Sequence, residues 1–132
     1  MTRLEVARQR LRNLWLSDPQ PGQPADVVRW LGAVQAQDYA ATRWALGMRL
    51  QSAVDAGIEA AFMAGEILRT HLLRPTWHFV TPADIRWLLA LTAPRVHVAN
   101  AHMVRKLELD ENTFRRSNDA LVRALQGGHE CT

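Results

Sequence analysis

The segment ILRTHLLRPTWHFV, residues 67–80, changes the residue pattern of the chain from helical to extended. Its apolar residues alternate as far as Leu72, a turn ending at Pro75 follows, and β-branched and aromatic residues resume at Thr76. Two such runs around a short turn are typical of a β-hairpin. No other part of the sequence has a convincing strand pair, so the fold depends on what surrounds this one.

The segments on both sides of the hairpin have helical patterns. Apolar residues recur at three- and four-residue spacings, and proline, glycine and capping residues separate the runs. Four helices followed by a hairpin are typical of a winged helix-turn-helix, in which the hairpin is the wing. We therefore predict a mostly α fold with one short β-hairpin, and a small α+β domain without a nucleic-acid role is the alternative. The predicted helices cover residues 2–16, 24–34, 39–46, 53–64 (capped by Ser52 and ended by Gly65), 81–94, 95–107 and 113–126.

Each of the early helices has an apolar stripe that predicts a buried face. Three tryptophans fall in such stripes, and we expect all three to lie in the core. The stripes are Leu4, Ala7, Leu11, Leu14 and Trp15 in the first helix, Val27, Trp30, Leu31 and Val34 in the second, and Ile85, Leu88 and Leu89 beside Trp87 after the hairpin.

Length and composition are those of an ordinary globular domain. The chain has 132 residues, of which 48% are hydrophobic and 22% charged, so one domain with a proper core is expected. No window approaches the roughly 18 apolar residues of a membrane span, and the sequence does not open as a signal peptide. A single cysteine, Cys131, cannot form an internal disulfide or a zinc knuckle, which favours a cytoplasmic protein.

The charge of the chain favours a polyanionic partner. Lys and Arg total 16 against 13 Asp and Glu, and Lys106 is the only lysine. The guanidinium fork of arginine suits contact with phosphate, although a GC-rich genome would give the same excess of arginine. Six cations stand against one acid, Asp84, between residues 67 and 107. Nucleic acid is the usual partner of such a distribution.

Three groups of residues resemble the motifs of a known family. VQAQDY, residues 34–39, contains a Gln-apolar-Gln motif; residues 68–80 contain an Arg-Thr…Leu-x-Arg-x-Thr-x-His hairpin; and residues 84–88 read Asp-x-x-Trp-Leu. Together they resemble the AlkZ-like DNA glycosylases, which are winged helix DNA-binding domain-containing proteins. The resemblance covers essentially the whole chain.

The resemblance implies tandem winged-helix units around a cleft for double-stranded DNA, in proteins much longer than this chain. Residues 1–107 would be the first winged-helix domain, and residues 108–132 the opening helix of a second, truncated unit. The implied activity is that of a monofunctional glycosylase, which hydrolyses the N-glycosidic bond of alkylated purines or crosslinks. No metal and no organic cofactor is implied. We expect this portion to be inactive alone.

The chemistry of this reaction is compatible with neutral catalytic side chains. A purine alkylated on a ring nitrogen is positively charged and leaves readily, so the protein mainly has to hold a water against the anomeric carbon. A glutamine oxygen can accept a hydrogen bond from that water while its amide donates to a phosphate or sugar oxygen. Gln35 and Gln37 are therefore the candidate catalytic residues, and Asp38 is the rival.

Geometry adds a constraint on these two glutamines. Residues two apart on a helix point about 200° away from each other, so Gln35 and Gln37 can serve one water only on an extended or turning backbone. We predict that the second helix ends before Gln35. A polar helix end at the surface is the alternative explanation for both glutamines.

Five residues are candidate DNA contacts: Arg43, Arg69, Arg74, Thr76 and His78. Arg74 lies at the hairpin turn and is the best candidate for a phosphate or groove contact, whereas Arg69 fits a buried structural anchor equally well. On the hairpin, Arg69 and His71 should share one side with Trp77 and Phe79, while Thr70 and His78 share the other. His97 and His102 do not predict a metal site, because they are five residues apart rather than the four that places two ligands on one helix face.

Two other functions remain open from the sequence. One is a non-catalytic DNA-binding module or regulator with the same fold. The other is an interaction domain that dimerises through the last helix, whose apolar stripe (Leu121, Val122 and Leu125) has no later partner in the sequence.

Overall fold

The computed structural model describes residues 1–20, 22–52, 54–74 and 76–128. The described residues form six helices and three strands, and they divide into two compact units, Met1–Pro94 and Arg95–Thr132. In chain order the elements are α1 (Arg3–Asn13), α2 (Pro24–Leu31), β1 (Val34–Gln35), α3 (Tyr39–Gly47), α4 (Asp55–Met63), β2 (Leu68–Leu72), β3 (Thr76–Val80), α5 (Ile85–Lys106) and α6 (Glu111–Leu125).

The predicted hairpin is formed by β2 and β3, and β1 adds a third antiparallel strand. The strand order is β1-β3-β2, so β3 lies in the middle. Arg69 pairs with Phe79, Thr70 with His78 and His71 with Trp77, which confirms the predicted division of the hairpin between two faces. The predicted fold class is confirmed as mostly helical with a small sheet, and the element order is compatible with a winged-helix arrangement.

The two faces of the sheet pack on different helices. On one face Phe79 is fully buried in a cluster with residues of α2, α3 and α4, among them Val28, Leu46 and Ile58. On the other face Val80 packs with Leu72 and with Leu88 of α5. Burial of a side chain the size of Phe79 contributes about 1.5–3 kcal/mol to stability, so the middle strand is the best anchored of the three.

The helices α2 and α4 both end before a glycine. The end at Gly65 is as predicted, whereas α2 ends at Leu31 rather than at residue 34. Gly32 follows the last residue of α2 with φ +75°, and Gly65 follows the end of α4 with φ +73°, both in the left-handed region that glycine adopts without strain. The start of α4 is different from the prediction. It begins at Asp55 after Val54, which has no side chain that can cap, so Ser52 is not the cap.

The expectation that all three tryptophans lie in the core is wrong for Trp30 and Trp87, which are more than half exposed. Trp30 stacks on the partly buried Trp15, with ring centroids 5.3 Å apart, and its Nε1 donates to the carbonyl of Asn13 at 2.7 Å. An indole has a polar N–H edge that seeks a partner, and here the partner is at the surface. The prediction that the apolar stripe of α1 is buried is also wrong, since Leu4, Leu11 and Leu14 are exposed.

The predicted pair of helices around Pro94 is a single helix, α5, that contains this proline. Proline removes one backbone hydrogen bond inside a helix, but its φ is close to the helical value, and the helical pattern on both sides continues.

In the second unit, α6 begins after the cap Asp110 rather than at Thr113 and exposes Phe114. The predicted division into winged-helix units at residues 107 and 108 stays a prediction. Among the described residues, no helix is both long and apolar enough to cross a bilayer.

Candidate active site and nucleic-acid interface

The segment from Gln35 to Asp38, which we call the glutamine segment, leaves the edge strand β1 and enters α3. Because α2 ends at Leu31, the backbone at Gln35 is extended rather than helical, as the sequence predicts. Ala36 is fully buried between the two glutamines, whose side chains are exposed. The segment therefore anchors itself through Ala36 and presents both amides to the surroundings.

Hydrogen bonds from neighbouring elements fix the backbone of this segment. The Ala36 N–H donates to the carbonyl of Trp77 on β3 at 2.7 Å. The Thr42 hydroxyl of α3 lies 3.2 Å from the carbonyl oxygen of Gln35 and 2.5 Å from that of Asp38, and its one proton is shared between them. Bonds from two different elements leave the backbone little freedom, so the points from which the two glutamine side chains project are fixed.

The carbonyl of Ala36 is held by Arg69 of β2. Both Nε and Nη2 of the guanidinium donate to it, at 3.1 and 3.0 Å. The same guanidinium lies over the ring of Trp77 at 4.5 Å and over that of Tyr39 at 5.6 Å. Of the two roles that the sequence allows for Arg69, these contacts favour the structural anchor.

The side chain of Gln37 also contacts β3. Its Oε1 accepts a hydrogen bond from the backbone N–H of Trp77 at 3.2 Å. Since a backbone N–H only donates, the oxygen of the Gln37 amide must be the atom that faces the strand. The NH₂ group of Gln37 is then on the outer side and remains a donor, whereas Gln35 is exposed with its whole amide.

Asp38 caps the N-terminus of α3. Its Oδ1 accepts a hydrogen bond from the N–H of Ala41 at 3.0 Å, and its backbone is extended, as at most helix caps. A carboxylate at this end of a helix is stabilised by the free N–H groups and by the helix dipole. Its presence next to the two glutamines is therefore explained without a catalytic role.

Arg43 belongs to a polar cluster between α3 and α4. Its guanidinium pairs with Glu59 and lies 3.3 Å from a carboxylate oxygen of Asp55, and the hydroxyl of Tyr39 donates to Glu59 at 2.9 Å. The hydrogen bonds from Tyr39 and Arg43 lower the pKa of Glu59. Burial and the bond to Glu59 raise the pKa of Tyr39. Arg43 thus has acidic partners within the fold.

Thr76 and His78 hold the return of the hairpin. The hydroxyl of Thr76 donates to the carbonyl of Arg74 at 3.2 Å, and the His78 Nδ1 lies 2.9 Å from the carbonyl of Thr76. His78 is buried, on the face of the sheet that packs on α5. The Arg74 side chain is exposed at the turn, which leaves it accessible to a large polyanion.

The Asp-x-x-Trp-Leu residues fasten the start of α5. The Asp84 carboxylate accepts hydrogen bonds from the Thr81 hydroxyl at 2.7 Å and from the Trp87 indole at 2.8 Å, and these two donors lower its pKa. Leu88 is buried against the sheet. This motif secures the junction of sheet and helix rather than a reactive group.

Sequence reasoning missed two residues of the site, Thr42 and Trp77. Thr42 is buried within a helix and has no distinctive spacing, so the sequence carries no signal for its contact with Gln35. The hairpin pattern predicts the correct face for Trp77, but it carries no signal for the backbone bonds of Trp77 to Ala36 and Gln37. Among the described residues, no three His, Cys, Asp or Glu side chains form a group that could hold a metal ion.

Comparison with known proteins agrees with the motifs. The model of one family, described as DNA glycosylase AlkZ-like, matches residues 28–132. That range begins within α2 and includes the glutamine segment, the hairpin and Asp84. No curated protein and no solved structure matches the chain.

Proposed function

This chain belongs to the AlkZ-like DNA glycosylase family. On that premise, we propose that it is the DNA-binding winged-helix portion of a monofunctional glycosylase. The glycosylase would release alkylated purines or crosslinked bases from duplex DNA. The observation that carries the proposal is the glutamine segment. Two neutral, exposed side chains project from a backbone that Ala36, Thr42 and Arg69 hold in place. Preorganisation of this kind is what a water-positioning site requires.

The reaction breaks the bond between the anomeric carbon of the sugar and the ring nitrogen of the base. The electron pair of that bond goes to the cationic purine, which leaves as a neutral base. The water oxygen bonds to the anomeric carbon, and one water proton is released to solvent. Because the leaving group is already activated by its charge, the protein needs to orient the water more than to deprotonate it.

The two glutamines are suited to different parts of this task. Gln37 has its oxygen turned to Trp77, so its NH₂ group can donate to the water oxygen or to a sugar or phosphate oxygen. Gln35 has a free choice of amide orientation, and its oxygen can accept a hydrogen bond from the same water. Asp38, the rival residue, has its carboxylate at the cap of α3. We therefore assign the water to the glutamine pair.

Arg74 is the residue that we expect to contact the DNA backbone. It is exposed at the hairpin turn, where a wing would meet a duplex. The other four candidates, Arg43, Arg69, Thr76 and His78, have partners inside the fold. We propose that these four shape the DNA-facing surface and that Arg74 makes the phosphate contact.

The test is release of a 7-methylated purine from duplex DNA by the full-length protein. Gln35→Ala and Gln37→Ala should each lower the single-turnover rate by roughly 10²–10³, the usual cost of one positioned donor or acceptor. Gln51→Ala, which removes another exposed glutamine, is the matched control and should keep the wild-type rate. Wild-type rates in both site variants would reject the catalytic assignment.

A DNA-binding module without catalysis is the second candidate, and the exposed Arg74 favours it equally. Such a module would bind duplex DNA with strong salt dependence and release no base, even with all residues intact. Association through the exposed face of α6 would instead be independent of DNA. Size-exclusion chromatography of the full-length protein with and without duplex DNA separates DNA binding from self-association.

A further inference from the structure

We propose that Arg69 is a positioning residue for the glutamine segment, an inference that rests on the proposed function. Arg69 lies on β2 and the segment leaves β1, with β3 between them. Its side chain crosses the middle strand over the ring of Trp77 to reach the carbonyl of Ala36. In this proposal it acts on the Gln37 amide without contacting DNA or the reacting atoms.

The contact replaces one bond of the sheet. In an antiparallel pair, two residues of a hydrogen-bonded pair exchange both of their N–H···O bonds. Ala36 and Trp77 exchange only one, because the Ala36 N–H donates to Trp77. The second acceptor, the Ala36 carbonyl, is taken by Arg69, and the second donor, the Trp77 N–H, is taken by the Gln37 side chain.

The consequence is that Arg69 and Gln37 depend on one another. With the Ala36 carbonyl occupied, the Trp77 N–H has the Gln37 oxygen as its acceptor, and this bond fixes which way the amide points. Without Arg69, the carbonyl is free to accept from the Trp77 N–H and complete the regular ladder. The Gln37 amide would then lose its partner and its fixed orientation.

The guanidinium is the group that fits this position. Two of its N–H groups converge on one carbonyl oxygen while its Cζ lies over the rings of Trp77 and Tyr39. A lysine ammonium is a compact point charge that has neither the fork nor the plane. Arg69→Lys should therefore behave like Arg69→Ala, although the charge is kept.

The experiment is a double-mutant cycle in the full-length protein with Arg69→Ala, Gln37→Ala and the double variant. We expect Arg69→Ala to lower the single-turnover rate by roughly a hundredfold, as a displaced catalytic group does, with DNA affinity unchanged. The double variant should be no slower than Gln37→Ala alone, because both changes remove the same function. Arg8→Ala, at an exposed position of α1, is the control and should match the wild type.

A second readout is independent of activity. The ¹⁵N-resolved NMR signals of the Gln37 side-chain amide should move toward the values of a free glutamine in Arg69→Ala and in Arg69→Lys, but not in Arg8→Ala. Unchanged signals would overturn the proposal. So would additive losses in the cycle, or a loss of DNA affinity equal to the loss of rate, since either would make Arg69 an independent DNA contact.

The two proposals fail in different ways. If Gln35→Ala and Gln37→Ala both keep the wild-type rate, the proposed function is wrong, and the NMR signals still decide whether Arg69 fixes the amide. If Gln37→Ala is inactive but Arg69→Ala keeps the wild-type rate, the proposed function stands and the role of Arg69 is wrong. Thermal unfolding of each variant identifies a change that simply fails to fold.

Discussion

The glutamine segment and the hairpin carry equally polar motifs, but the fold uses them in opposite ways. In the glutamine segment the backbone is bound and the side chains of Gln35 and Gln37 are exposed. In the hairpin, the side chains of Arg69, Thr76 and His78 contact carbonyl oxygens within the fold. The difference indicates that the hairpin motif supports the backbone of the glutamine segment, and under the proposed function that segment would form the site.

Thr42 allows the glutamine segment to be disturbed while the hairpin stays intact. Thr42→Val keeps the shape but removes the hydroxyl that donates to Gln35 and Asp38, at a cost of about 1 kcal/mol in the free energy of unfolding. We expect the rate of base release to fall while DNA affinity is kept. Chemical denaturation measures the free energy of unfolding, single-turnover kinetics measure the rate, and a DNA-binding titration measures the affinity. Thr42→Ser, which restores the hydroxyl, is the control. Equal losses of rate and affinity would mean that the two regions are not separate.

Arg74 allows the opposite change, at the end of the hairpin. Because its side chain is exposed, Arg74→Ala should leave stability and the rate at saturating DNA unchanged. The slope of log binding constant against log salt should become shallower by about 1, as expected for one lost phosphate contact. Titrations at several salt concentrations give the slope, with Arg8→Ala as the matched variant. A slower rate at saturating DNA would assign Arg74 to the reaction itself.

The smallest expected effect is the pH dependence of the cluster behind the site. The bonds from Tyr39 and Arg43 lower the folded-state pKa of Glu59 below its usual 4.5, so the carboxylate binds protons more readily in the unfolded chain. Its contribution to stability is complete above about pH 5.5 and is lost as the pH falls through the lowered pKa. Melting temperatures between pH 7 and pH 3.5 should fall less steeply in Glu59→Gln than in the wild type. Parallel curves would show that the cluster does not contribute.

Local patterns were enough to predict the parts of the fold that local chemistry sets. Alternation and the turn predicted the hairpin and its two faces, and Gly65 predicted the end of α4 because left-handed backbone favours glycine. The geometry of an i and i+2 pair predicted that the backbone at Gln35 and Gln37 is extended or turning, and it is extended at Gln35 and bends at Gln37. The strand β1 is only two residues long, which is too short for an alternating residue pattern to reveal. The prediction therefore came from the requirement that both glutamines serve one water.

What the sequence could not predict are contacts between distant segments. Arg69 and Ala36 are 33 residues apart, and no spacing rule links them. Trp30 matched an apolar stripe but lies at the surface, because the acceptor of its indole N–H is a backbone carbonyl 17 residues earlier. Apolar spacing identifies a face of a helix, but the polar edge of a side chain finds its partner only in three dimensions.

The central claim is that two amides, which do not titrate, hold the water. Its most direct test is the single-turnover rate of 7-methylated purine release by the full-length protein, measured from about pH 5 to pH 8 with the wild type, Gln35→Ala and Gln37→Ala. We predict a nearly flat profile for the wild type and a large loss in both variants at every pH. A rate that depends steeply on pH in this range and is insensitive to both substitutions would contradict the claim.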